Sequence, residues 1–227
     1  MALLVIGLLA AQGGAEALKK IEEALAKPDS LSVSFKASAT QTTESGTILA
    51  HASGRLQFKK GGKSRQELSM IQGGSKADLV MVSDGLRLRT QLAGRSMDIE
   101  LPSNYASNQF LALARVGVLP TGLLSPQIRK VRQIRTGLSE LDVQKDLLIS
   151  EAELGTSEGG SGLLIYTLSA PELKRDFACR TWYSLETFRP VRRELHARQP
   201  GYEELYAETY EGWSEDEIPE GSFETSR

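Results

Sequence analysis

One cysteine, two histidines and only 6% aromatic residues mark what this 227-residue chain has least of. A single thiol, Cys179, excludes an intramolecular disulfide and any CxxC-type metal site by counting alone. His51 and His196 stand far apart in sequence, so no local pattern of metal ligands is present and no metal is expected. Neither charge sign prevails: 27 basic residues against 29 acidic ones give a formal net charge of -2. That balance supplies no general attraction to nucleic acid or to an anionic membrane. Proline is scarce at eight residues while 40% of the chain is hydrophobic, enough to bury a core within one domain.

Long hydrophobic runs are also missing. The most apolar stretch, Ala2 to Ala11, is too short to cross a bilayer, which takes about 20 residues in a helix. In MALLVIGLLAAQGGAEA that stretch precedes small residues, the layout of a signal peptide ending at Ala15, although no basic residue stands ahead of it. Export to a periplasmic or other external compartment is therefore expected. Residues 1–15 are read as the leader and 16–227 as a single domain. No cysteine follows the apolar run, so a lipid-modified cysteine anchor is excluded.

What the chain does have is alternation. Leu18, Ile21 and Leu25 recur at helical spacing until Pro28 ends the pattern, predicting a short amphipathic helix over 16–27. LSVSFKASA then places Leu31, Val33, Phe35, Ala37 and Ala39 on one face of a strand. The same period returns in GTILAHASGRLQFKK, KSRQELSM, ADLVMVS, LRLRTQL and RSMDIEL, separated by glycine-containing turns too short for a parallel crossover. Asp84-Gly85 is one of these turns and reads as hairpin geometry, not as a catalytic aspartate. Pro102 breaks the meander, and a mostly apolar segment predicts a helix over 104–117 and a shorter one over 123–129. Strands resume after Gly137. The fold class expected is α+β, mainly β: an antiparallel sheet whose open face a helix covers.

KKGGKS ends like a phosphate loop, but Gln57 stands where that motif needs its first glycine, and a strand follows where it needs a helix. No G-x-S-x-G elbow occurs. The carboxylate pairs Glu151/Glu153 and Glu203/Glu204 lie in alternating strands and are read as facing water. Cys179 shares a strand face with Phe177, Thr181 and Tyr183 and is read as a small core residue. Arg192-Arg193 and the group Arg129, Lys130, Arg132 and Arg135 lack interleaved aromatics, so they are read as solvated faces and not as RNA contacts. The expectation is a protein that is not an enzyme and needs no cofactor.

The order helix, meander, helical insert, meander, with the strings LSVSFKAS, GRLQFKKGGKSRQEL, VMVSDGLRLRT, YSLETFRPVRREL and EIPEGSF, resembles the LolA-like and LolB-like periplasmic lipoprotein carriers. The resemblance implies an incomplete, half-open antiparallel barrel covered by an N-terminal helix and a central helical lid, with an apolar cavity that receives acyl chains. It implies that Val33, Phe35, Leu56, Phe58, Leu68, Val80, Val82, Leu86 and Leu88 line that cavity. The lid would run from Phe110 to Leu124 and add Phe110, Leu111, Leu113, Leu123 and Leu124. Arg65 would hydrogen-bond across to the lid. The function implied is carriage of a lipid or lipidated protein in the cell envelope, including the sorting of outer-membrane lipoproteins. Arg87 and Arg89, where the family tends to carry aromatics, point to a different cargo or partner. The same scaffold occurs in envelope-stress regulators, so a module meeting a protein partner through the sheet face or edge is the alternative.

Overall fold

The computed structural model describes residues 2–92, 94–101, 105–118, 148–156, 160–170 and 175–224. Its core is one eleven-stranded antiparallel sheet in the order β6-β5-β4-β3-β2-β1-β11-β10-β9-β8-β7. The strands run β1 (Ser30–Thr43), β2 (Gly46–Lys59), β3 (Lys63–Gln72), β4 (Ser75–Asp84), β5 (Arg87–Leu92) and β6 (Arg95–Glu100). After the helical segment come β7 (Leu148–Gly155), β8 (Ser161–Ala170), β9 (Arg175–Ser184), β10 (Pro190–Gln199) and β11 (Tyr202–Ser214). Pairing of β1 with β11 joins two meanders, so β6 and β7 become the two edges and the sheet stays open. The chain between β6 and β7 therefore links the two edges of the sheet.

Register decides which residues face the helices. Leu31, Phe58, Ser64, Ser83 and Leu88 oppose one another from β1 to β5 and all five are buried. Phe35, Gly54, Leu68 and Leu79 form a second such row. Antiparallel partners share a face, so these rows define the inner face, and the alternate residues define the outer one.

Helix α1 (Ala2–Ala26) buries Ala17, Leu18, Ile21 and Leu25 against the inner face, the stripe that its spacing predicts. It begins well before residue 16, because nothing in the apolar stretch breaks a helix. Gly13 and Gly14 each cost about 1 kcal/mol relative to alanine in a helix interior, but here they admit close packing on β7. A Cβ at Gly14 would lie 2.2 Å from Ala152 O. Helix α2 (Tyr105–Arg115) matches the first predicted helix. The second predicted helix, with Leu123 and Leu124, lies outside the described residues.

Candidate functional site

The inner face and the two helices enclose one apolar cluster. Val33, Phe35, Leu56, Phe58, Leu68, Leu88 and Leu113 are buried within it, and Phe110 and Leu111 pack half-buried against it. The floor along β1 and β2 is built from small residues: Ala37 opposes Ala52, Ala39 opposes Ala50, and Phe35 opposes Gly54. No long side chain rises from these six positions except Phe35.

Three expected positions land elsewhere. Val80 and Val82 share the outer face with Arg65, because Leu68 opposes Leu79 and Arg65 opposes Val82. In LVMV every residue is apolar, so hydropathy leaves the parity open and pairing with β3 sets it, giving the inner face to Leu79 and Met81. Leu86 is 77% exposed, because it is the second residue of the two-residue turn between β4 and β5. Asp84 Oδ1 accepts from the backbone N–H of Leu86 and of Arg87, both at 2.8 Å. These bonds hold its carboxyl below the usual carboxylate range. Gly85 takes φ +98 there, and a Cβ on it would meet Gly61 O at 2.2 Å. The Asp-Gly pair is turn geometry, as its sequence suggests. Arg89 faces outward in a bidentate pair with Asp98 at 2.7 and 2.8 Å.

Arg65 is not a lid contact. Its Nε donates to Glu67 at 2.6 Å and its Nη1 to Ser222 O at 3.4 Å, both on the outer face. Its neighbour Ser64 points inward and accepts from Gln109 Nε2 of α2 at 2.7 Å. Beside it Phe110 lies 5.5 Å from Phe58, ring centre to ring centre.

The arginine that does reach the helix is Arg193. It is fully buried on β10, donating from Nη1 to Leu113 O at 2.6 Å, from Nη2 to Ala114 O at 2.5 Å and from Nε to Thr181 Oγ1 at 3.1 Å. A cation thus satisfies two carbonyls that the end of α2 leaves unpaired, where the helix dipole is negative. Glu208, equally buried on β11, accepts from Val118 N at 3.0 Å and from Tyr210 OH. Tyr166 OH donates to Arg115 O at 2.6 Å. Gly117, at φ +99, lets the chain turn between these groups: a Cβ there would sit 2.3 Å from Glu208 Oε2 and 3.1 Å from Arg193 Nη1.

Burial drives the electrostatics of this cluster. It pushes the Tyr166 hydroxyl up to about 12, and it pushes Tyr210 well above the usual range, with the Glu208 charge adding to the effect. Burial likewise pushes Cys179 up to about 12, leaving a neutral thiol that packs as a small hydrophobe. Arg115 adds a fastening between the helices, meeting Glu22 of α1 at 2.7 Å.

Arg193, expected on a solvated face, lies inside, and its strand neighbours carry the signal for that. Arg193, Leu195 and Ala197 share strand parity, as do Tyr206, Glu208 and Tyr210, so each charge sits in an apolar row. Among the described residues no group of three or more His, Cys, Asp or Glu could hold a metal ion, and no helix is long and apolar enough to cross a membrane.

No protein-family model and no curated protein sequence matches the chain. Solved structures similar to it include LprF from Mycobacterium bovis, 8% identical with a TM-score of 0.45, covering 90% of this chain and 94% of that one. Another is a domain from Vibrio parahaemolyticus named for outer-membrane lipoprotein sorting, 7% identical, TM-score 0.39, covering 92% and 97%. A third is the MucA/MucB complex of Pseudomonas aeruginosa, 16% identical, TM-score 0.36, where 94% of this chain spans 61% of that one.

Proposed function

We propose that the inner face is a non-catalytic binding surface for acyl chains, and that the protein carries a lipid or a lipidated protein in the cell envelope after export. The observation that carries this reading is the unequal fastening of α2. Its C-terminal end is fixed to β8, β10 and β11 through Tyr166, Arg193 and Glu208, all buried. Ahead of that end, the fastenings among the described side chains are one hydrogen bond from Gln109 to Ser64 and the half-buried contact of Phe110 with Phe58. An aromatic pair of that kind contributes about 0.5–1.5 kcal/mol beyond its area. A helix held this way swings from its C-terminal end, and the first surface it uncovers is Phe58 and the apolar cluster around it.

Such a surface suits alkyl chains. Each buried methylene contributes about 0.8 kcal/mol, so a long chain binds without any polar anchor. The lid-fastening role expected of Arg65 belongs in this reading to Arg193, on the opposite half of the sheet. Purified protein stripped of lipid should take up a long-chain fatty acid in a one-to-one adduct seen by native mass spectrometry. Phe110→Ala should speed exchange of a fluorescent fatty acid while leaving the fold intact, and an unchanged exchange rate would count against α2 as the lid.

A further inference from the structure

The outer face of β2 to β4 carries a second assembly, independent of the acyl-chain reading. After β11 the chain passes through Glu215, Asp216 and Glu217, all exposed, and then lies across β3 and β4 as a segment ending in a 3-10 turn, Glu220–Phe223. Ile218 and Phe223 are 4% and 2% exposed, and Val82 on the sheet beneath is 6% exposed. None of the three belongs to the main core, so they form a satellite apolar site under the segment. Its rim is basic. Lys59 meets Glu220 Oε1 at 2.7 Å and donates to Ile218 O at 3.3 Å. Lys63 pairs with the other oxygen of Glu220, and Arg65 donates to Ser222 O at 3.4 Å.

We propose that this groove is a docking site for an acidic peptide segment of a partner protein, and that residues 218–223 occupy it as a tethered competitor. The residues in place define what fits: an aliphatic side chain two positions before a glutamate and an aromatic three positions after it. Three features separate this from a plain structural strap. The segment adds no strand to the sheet and is held by side chains and by two apolar anchors. Its tether is three exposed residues without regular structure, so detachment disturbs no ladder hydrogen bond. Among the described residues Lys59, Lys63 and Arg65 make their ion pairs with Glu220 and Glu67, three cations to two carboxylates, so a more acidic segment would find further pairing there. The tether raises the local concentration of the resident segment to the millimolar range, so an incoming one competes by carrying more carboxylates.

The test uses the full chain with Ile218→Ser, Glu220→Lys and Phe223→Ser, which empties the groove without altering its walls. The probe is a fluorescein-labelled peptide of residues 214–227. Fluorescence anisotropy should give a micromolar Kd for the emptied chain and at least tenfold weaker binding for the unaltered chain. A probe carrying Ser222→Glu should bind more tightly than the natural one, and adding Lys59→Glu with Lys63→Glu to the emptied chain should weaken binding at least tenfold. If the triple variant does not fold, Phe223→Ala alone loosens the resident segment and should show intermediate affinity. No binding to a folded emptied chain, or binding indifferent to Lys59 and Lys63, would overturn the proposal. So would dimerisation of the unaltered chain by exchange of this segment, which would make a second copy the occupant.

Discussion

Replacing Arg193 by methionine removes the cation from a site where Glu208 is 1% exposed and Arg193 itself is fully buried. The immediate loss is three hydrogen bonds, to Leu113 O, Ala114 O and Thr181 Oγ1. The larger loss is the attraction between the Arg193 cation and the buried Glu208 carboxylate, and removing one of two such buried, mutually attracting charges costs about 3–5 kcal/mol. Against a net stability of about 5–15 kcal/mol this is severe but measurable. Adding Glu208→Gln removes the carboxylate charge that Arg193 attracted, and the amide oxygen still accepts from Val118 N and Tyr210 OH. What remains is two carbonyls at the end of α2 without partners, about 1–3 kcal/mol. The double variant should therefore be more stable than Arg193→Met alone. The assay is urea unfolding at neutral pH followed by the fluorescence of Trp182 and Trp213, with the coupling read from the double-mutant cycle. If Arg193→Met costs less than about 1 kcal/mol, or if the two effects simply add, the latch described for α2 does not exist.

Other outcomes follow from the same geometry. Cys179 should resist alkylation in the folded protein up to mildly alkaline pH, because burial pushes its thiol to about 12, and should react fully in denaturant. Gly117→Ala should destabilise the chain by about 1–3 kcal/mol through its φ alone, and its new Cβ should displace the Glu208 carboxylate and speed acyl-probe exchange. Lys59 and Lys63 lower the Glu220 carboxyl from 4.5 to about 2, so its hold on the C-terminal segment is complete above about pH 4.5 and is lost as pH falls toward 2. The protection of amides in residues 218–224, corrected for the intrinsic exchange rate at each pH, should fall over that window, more gently in high salt, and Glu220→Gln should abolish the dependence. Intact mass of protein expressed from its own first residue in a Gram-negative host should show removal of residues 1–15; a full-length mass in the periplasm would refute the leader assignment.

The two meanders of antiparallel hairpins and helix α2 were legible because β1 and β2 alternate cleanly and the turns between strands carry glycine. Parity failed where hydropathy stopped alternating: LVMV in β4 is apolar on both faces, and a C-terminal segment far away in sequence is what makes outward Val82 acceptable. Leu86 failed because a two-residue turn takes it out of the strand altogether. Arg65 and Arg193 exchanged roles for a simpler reason: one basic residue beside a glycine-rich turn matched a family expectation, while the other was dismissed as half of a surface pair. Reading Arg193 together with Leu195 and Ala197 would have placed it inside. The partners it finds there, the carbonyls of residues 113 and 114, are set by how α2 crosses the sheet, and no local pattern encodes that crossing.

Uptake of lipid by the inner face is the most direct test of acyl-chain carriage. Native mass spectrometry of gently purified protein, before and after delipidation and again after addition of a long-chain fatty acid, asks this directly. The prediction is one lipid-sized adduct that disappears on stripping, returns on addition, and is lost when Ala39→Phe fills the floor between β1 and β2 in a still-folded chain. An unliganded mass under every condition, or an adduct indifferent to Ala39→Phe, would contradict it.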